Sequence, residues 1–257
     1  MSGAMFDDAG SRKIEALYLT PDVTAQRERV LTALSLQAGE RVLDLGSGPG
    51  LLALDLLGQI GPQGRLEGID LSATMLALAQ RRCSARANAR FQAGSVTALP
   101  YPDASFDVAV SIQVYEYVED PDLALRELHR VLRPGGRAAV MDTDWESCVW
   151  HSGDAARMQR VVQAWDTHCT HPQLPRTLAG RLRRAGFTLH ACEVVPLVNV
   201  GWDPDTYSVG MIPVLGKHAA RVLGDEVTRA WAADLEAIGA AGDYFFSLNR
   251  YLFLIER

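Results

Sequence analysis

Cysteine is scarce in this chain. The four present, Cys83, Cys148, Cys169 and Cys192, stand far apart with no C-x-x-C pair. That spacing argues against a disulfide framework. With no secretory leader at the start, it makes a reducing cytoplasm the expected location. No apolar run reaches the eighteen or so residues of a membrane span, so no membrane partner is expected. Positive charge is also short: 25 Lys and Arg face 31 Asp and Glu, for a formal net charge of -6. Nucleic-acid partners call for a basic face, so none is expected. The arginines that do cluster, Arg81-Arg82 and Arg181-x-Arg183-Arg184, fall on helical patterns and read as solvated faces. Internal repeats and low-complexity stretches are absent. The small, polar opening Met1–Met5 is set aside from fold reasoning.

What the chain does have is 48% hydrophobic residues over a length suited to one α/β unit with an insertion. Helices are predicted over 11–18 and 24–34, the two separated by Thr20-Pro21. Strands over 41–45, 65–69, 89–92, 106–111 and 136–142 then alternate with helices over 50–59, 73–87, 95–98 and 121–132. Such alternation implies βαβ units, and hence a doubly wound, mostly parallel sheet with helices on both faces. Gly135-Gly136 reads as a helix stop and a turn into the fifth strand. Helices follow over 155–169 and 177–185, then two β-rich segments, 187–200 and 244–256. Between these lies a helical stretch, 203–243, too long for a plain connection.

Chemistry concentrates in Val42-Leu43-Asp44-Leu45-Gly46-Ser47-Gly48-Pro49-Gly50 and in Gly68-Ile69-Asp70-Leu71-Ser72. The first is a strand running into a glycine-rich turn and a helix. The second is a strand ending in an acid, twenty residues past Gly50. This is the layout of a nucleoside-binding crevice, with Asp70 placed to accept from a ribose diol. Asp44 separates it from a dinucleotide site. An acid just before the glycines repels a pyrophosphate but suits a ligand with an ammonium, a sulfonium and no phosphate. S-adenosyl-L-methionine is that ligand.

The run Asp44-x-Gly46-x-Gly48-x-Gly50, Asp70, Gly94-Ser95-Val96-Thr97-Ala98-Leu99-Pro100, Ser105-Phe106-Asp107 and Val131-Leu132-Arg133-Pro134-Gly135-Gly136 resembles the ordered motifs of class I SAM-dependent methyltransferases. The style is that of the branch acting on quinones and other small molecules, over residues 28–142. The resemblance implies a seven-stranded sheet with an antiparallel last hairpin. It implies cofactor contacts from Asp44, Gly46, Ser47, Gly48, Asp70, Leu71, Met75, Gly94, Ser95, Val96 and Gln113. Ser95 stands where the family usually carries an acid for the adenine amino group. Beside the transferred methyl it points to Gln113, Tyr115 and Glu116.

Methyl transfer asks the protein chiefly to orient the acceptor and exclude water. A general base is needed only for a neutral hydroxyl, an amide or an unactivated carbon. Candidates are His151, His168, His171, Asp142 and Asp144, so the catalytic set is Gln113, Tyr115, Asp144 and His168. His168-Cys169-x-His171 lacks a fourth ligand nearby, and no metal is expected. Trp145, Trp202 and Tyr207 are placed to line an apolar acceptor pocket. The expected organisation is an N-terminal cap segment (1–24), a SAM-binding core (25–202), a helical cap insertion (203–243) and a last core strand (244–257). The expected activity is methylation of a small apolar or aromatic metabolite, by a monomer or a homodimer. The alternatives are a SAM-binding protein of this fold without methyl transfer, a macromolecular acceptor, or a thiol or arsenic acceptor engaging Cys148 and Cys169. The macromolecular reading lacks an Asn/Asp-Pro-Pro-Tyr-type motif, since Ser111-Ile112-Gln113-Val114 stands in its place.

Overall fold

The computed structural model describes residues 14–257. Residues 14–18 are helical, and the rest of the expected 11–18 helix lies outside the described residues. Then follow α1 (Pro21–Leu34), β1 (Arg41–Leu45), α2 (Leu51–Ile60), β2 (Arg65–Asp70), α3 (Ala73–Arg82), β3 (Ala89–Ala93) and β4 (Phe106–Ile112). A short 3-10 turn at Tyr115–Tyr117 leads to α4 (Pro121–Val131), β5 (Leu132–Trp150), α5 (Ala155–Asp166) and α6 (Pro175–Arg184). The chain closes with β6 (Thr188–Val200), α7 (Tyr207–Leu223), α8 (Asp225–Ala241) and β7 (Phe245–Glu256).

The seven strands form one sheet in the order β3-β2-β1-β4-β5-β7-β6. Pairings among β1 to β5 are parallel, and β7 runs antiparallel to both β5 and β6. The mostly parallel sheet with an antiparallel last hairpin is therefore present. Strand order reverses between β1 and β4, and the crevice at such a switch point is where open α/β sheets bind ligands.

Local chemistry sets the boundaries. Pro21 opens α1 rather than breaking the chain before it, because an N1 proline gives up no helical hydrogen bond. Asp120 and Asp154 cap α4 and α5 by accepting from Leu123 N and Arg157 N, both at 2.9 Å. Helix α3 ends at Arg82, five residues short of the expected end. Asn88 pulls the following chain toward β3 by donating to Gly61 O (3.0 Å) and Gly64 O (2.9 Å). The expected helix over 95–98 is a turn, because Ser95 Oγ takes the Thr97 N–H at 3.2 Å.

Strand β5 is far longer than the expected 136–142. Gly135 N donates to Arg257 O (2.8 Å) and Arg257 N to Gly136 O (2.9 Å), so extended pairing runs through the Pro-Gly-Gly stretch. At the other end, pairing resumes at Val149↔Ser247 after an irregularity. Asp142 and Asp144 thus lie within the strand, not past it.

Two hydrophobic clusters fill the two faces of the sheet. One carries Leu125 and Leu128 of α4 and Leu178 and Leu182 of α6; the other carries Val30 of α1 and Leu56 of α2. A third cluster joins Leu17, Trp165 of α5, Met211 of α7 and Trp231 of α8 to Trp145, Phe246 and Leu248. It ties the helical pair between β6 and β7 to the sheet.

Candidate active site

The glycine turn after β1 is built by conformation and by contact. Gly46, Gly48 and Gly50 have φ of +66°, +52° and +77°, the left-handed region that favours glycine. A Cβ on Gly46 would run into Val114 Cγ2, whereas a Cβ on Gly48 would find only Gly46 O at 4.0 Å. Close packing against Val114, together with the left-handed backbone, therefore makes glycine necessary at position 46. Gly46 N and Ser47 N donate to Ile69 O at 2.8 and 3.0 Å, pinning the turn to β2.

Asp70 at the tip of β2 is held on both oxygens. Gly48 N donates to Oδ2 (2.9 Å) and Ser72 N to Oδ1 (2.8 Å), so both remain available for further bonds along fixed directions. Burial raises its pKa, against those backbone donors. Asp44 is the opposite case. It is only 2% exposed, and its Oδ2 has no partner among the described residues. Burial first, then the charge of Asp70, pushes its carboxyl up to about 7.

Both acids face one cavity of about 1010 Å³. That is as large as the biggest common ligand pockets, about 1,000 Å³. At the end near Asp44 and Asp70, its walls include Gly46, Ser47, Gly48, Leu71, Met75, Gly94, Ser95, Val96 and Gln113. Leu71 stands 64% exposed at the rim and Met75 is buried. The Ser95 hydroxyl lies 2.7 Å from Thr97 Oγ1 and is engaged locally. Gln113 holds a φ of +54°, uncommon for a residue with a side chain, and its Nε2 donates to Thr143 Oγ1 at 3.0 Å.

The loop after β4 is clamped by two buried carboxyls. Asp142 Oδ1 accepts from Val114 N (3.1 Å) and Glu116 N (3.3 Å), while Glu116 Oε2 accepts from Thr143 N (3.0 Å). Burial raises both carboxyls, Glu116 to about 7 and Asp142 well above the carboxylate range through its neighbour's charge.

Of the four residues expected to act on the acceptor, only Gln113 lines the cavity. Tyr115 is fully buried in the core beside α4 and α6. Asp144 is taken by Arg176, whose Nε and Nη2 reach its oxygens at 2.8 and 3.0 Å. His168 stacks on Trp165, with centroids 4.0 Å apart, and burial lowers its pKa to about 4. His151, His171, Cys148 and Cys169 also lie off the cavity wall. Trp145 and Tyr207 line it as expected; Trp202 packs against Tyr244 instead.

The sequence reading missed several wall residues: Gln26, Arg27, Trp165, Met211, Val214 and Arg250, together with Tyr18 from the helical residues 14–18. The signal for Arg250 was there. It stands at a buried position of the alternating strand Phe246, Leu248, Arg250, Leu252. Among the described residues, no cluster of His, Cys, Asp and Glu is suited to a metal, and no helix is long and apolar enough to cross a membrane.

An orphaned carboxylate beside a diol-ready one fits a cationic adenosine ligand without phosphate. Comparison with known proteins agrees. Residues 43–140 match the family described as a methyltransferase domain. An uncharacterised 37.1 kDa protein in transposon TN4556 of Streptomyces fradiae is 31% identical over 262 residues, covering 98% of this chain and 73% of that protein. The demethylmenaquinone methyltransferase of Thermus thermophilus is 39% identical over 122 residues; the match covers 47% of this chain and 54% of the enzyme. Among solved structures, phosphoethanolamine N-methyltransferase 2 of Haemonchus contortus, complexed with S-adenosyl-L-methionine, aligns with a TM-score of 0.64 at 19% identity, over 98% of this chain and 58% of that one. The cyclase SpnF aligns with a TM-score of 0.59 at 24% identity, over 91% and 80%. These structural likenesses establish the fold. Taken with the sequence matches across the glycine turn, Asp70 and β4, they lead to one conclusion: the chain belongs to the class I S-adenosylmethionine-dependent methyltransferases.

Proposed function

We propose that this protein methylates a small, largely apolar acceptor held at the far end of the cavity, between the helical residues 14–18 and α7. The observation that carries the reading is the continuity of that cavity. Its wall passes from Asp44 and Asp70 to Tyr18, Trp145, Trp165, Tyr207, Met211 and Val214 without a partition. When bound, the cofactor supplies a methyl group activated by a sulfonium, open to in-line attack by the acceptor. Asp44 offers its charge to the ammonium, and Asp70 receives the ribose diol. Leu71 and Met75 flank the adenine, and the Val96 N–H serves it where the Ser95 hydroxyl is engaged. Gln113, Val114 and Tyr117 line the cavity where its two halves meet. The described part of residues 1–24, together with 203–243, acts as a cap that keeps water from the acceptor.

No histidine lines the cavity among the described residues. An acceptor that needs no strong general base suits such a wall better than a neutral alcohol does. The demethylmenaquinone methyltransferase relatives, matched over about half of their own length, are consistent with a small acceptor of the quinone kind. Incubation with methyl-labelled SAM and a metabolite extract tests the reading. The expected result is S-adenosylhomocysteine together with a labelled small product. Tight SAM binding with no label transferred would favour the alternative, a SAM-binding protein of this fold that does not transfer methyl, in line with the cyclase SpnF among its structural neighbours.

A further inference from the structure

Arg250 is a buried charge on the cavity wall that the proposed cofactor contacts do not use. It projects from β7, in register with Thr143 of β5 and Val195 of β6, and is only 1% exposed. Its Nη1 donates to Gln26 Oε1, and Gln26 is fixed in turn by donating through Nε2 to Val195 O at 3.0 Å. The guanidinium carbon stands 5.1 Å from the centroid of the Tyr207 ring. Its Nε and Nη2 make no well-formed hydrogen bond among the described residues, although the Tyr207 hydroxyl is close enough to feel the guanidinium. Glu116 is near enough to feel the charge, but its carboxylate is turned to Thr143 N. The other cationic wall residue, Arg27, is engaged by Asp55 and by the Tyr18 carbonyl.

A buried guanidinium with two nitrogens lacking a well-formed hydrogen bond is unfavourable unless something pairs with it. A purely structural arginine would have those donors satisfied by the fold, as Arg130 and Arg137 do with their carboxylates and carbonyls. Arg250 instead presents a planar fork beside two phenols, Tyr18 and Tyr207, on the wall assigned to the acceptor. Guanidinium forks match planar oxyanions. We propose that Arg250 binds an anionic oxygen group of the acceptor, so that the substrate is a small apolar organic acid rather than a neutral molecule. This rests on the methyl-transfer reading for the acceptor's place in the cavity. The anion site itself can be tested without turnover.

The test uses the full chain loaded with S-adenosylhomocysteine, titrated by calorimetry with 2-naphthoate and with 2-naphthamide, its neutral analogue of the same shape. We expect naphthoate to bind about tenfold or more tighter, the scale of hydrogen bonds to a charged group. Arg250→Met should erase that preference while leaving S-adenosylhomocysteine affinity within about twofold. Arg250→Lys keeps the charge but not the fork, and should retain part of the preference. It also serves should the methionine variant fail to fold. Equal binding of the two probes, binding of neither, or a preference unchanged in Arg250→Lys or surviving in Arg250→Met would overturn the proposal. Failure of the transfer reading looks different: label stays on SAM while the naphthoate preference and its dependence on Arg250 persist.

Discussion

Asp44 occupies a costly position. Its strand neighbours in register are Gly68 and Val110, and the charge acting on it is that of Asp70, of its own sign. In the unfolded chain the carboxyl gives up its proton near pH 4; in the fold, burial holds it to about 7. Between those values the native state binds the extra proton, so stability falls as pH rises through that window. Below it there is no effect, and above it the full penalty applies. Asp44→Asn should therefore raise the melting temperature at pH 8, by about 2–4 °C for each kcal/mol recovered. The gain should shrink toward pH 5 and vanish near pH 4. The same variant should bind SAM more weakly at pH 8 by about 1–3 kcal/mol, since a charged partner for the ammonium is gone. Melting curves and calorimetry on one sample check both halves. A variant that melts higher yet binds SAM unchanged would remove Asp44 from the cofactor site.

At the scale of elements, the junction between β1 and α2 makes a sharper demand than its glycines suggest. Gly48→Ala should cost about 1–2 kcal/mol, the strain of a left-handed residue with a Cβ in open space. Gly46→Ala carries the same strain plus overlap with Val114, and overpacking adds about 1–3 kcal/mol. Denaturant titration should rank Gly46→Ala as the worse variant. Adding Val114→Ala should bring its loss down toward that of Gly48→Ala; equal losses without that second change would show that the loop gives way. This junction was legible in the chain because strand, turn and helix are each encoded within a few residues. The same is true of Asp70, whose position follows from the βαβ spacing. Long-range pairing was not legible. Strand β5 runs through Pro134-Gly135-Gly136 only because Arg257 meets Gly136 across the sheet. Asp144 looked free in sequence, yet Arg176, thirty-two positions on, occupies it. Arg250 acquires its role from Gln26, 224 positions away. Local pattern finds the end near Asp44 and Asp70, which is made of consecutive residues, and finds only Trp145 and Tyr207 at the proposed acceptor end, which is assembled from distant parts of the chain.

On the scale of the whole molecule, that assembly couples the two ends of the cavity. Leu17, Met211 and Trp231 share a core with Trp145 and Leu248, so the helices over the acceptor end cannot open without disturbing the end of the sheet. Ile14, Leu17 and Tyr18 also share a cavity wall with Asp44 and Asp70. Cofactor binding should therefore quiet the cap as well as the glycine turn. With S-adenosylhomocysteine at about 100 times its Kd, any opening that breaks the site is opposed by about 2.7 kcal/mol, close to a hundredfold slowing of exchange. Hydrogen exchange should show residues 14–18 and the first half of α7 slowed by the ligand. Helix α6, whose Leu178 and Leu182 pack on the sheet away from the cavity, should change least among elements that exchange by local opening. If α7 exchanges at the same rate with and without ligand while the glycine turn is protected, the helical pair is a neighbour of the site and not its cap. The acceptor pocket would then have to be sought among β4, β5 and the Tyr115–Tyr117 turn alone.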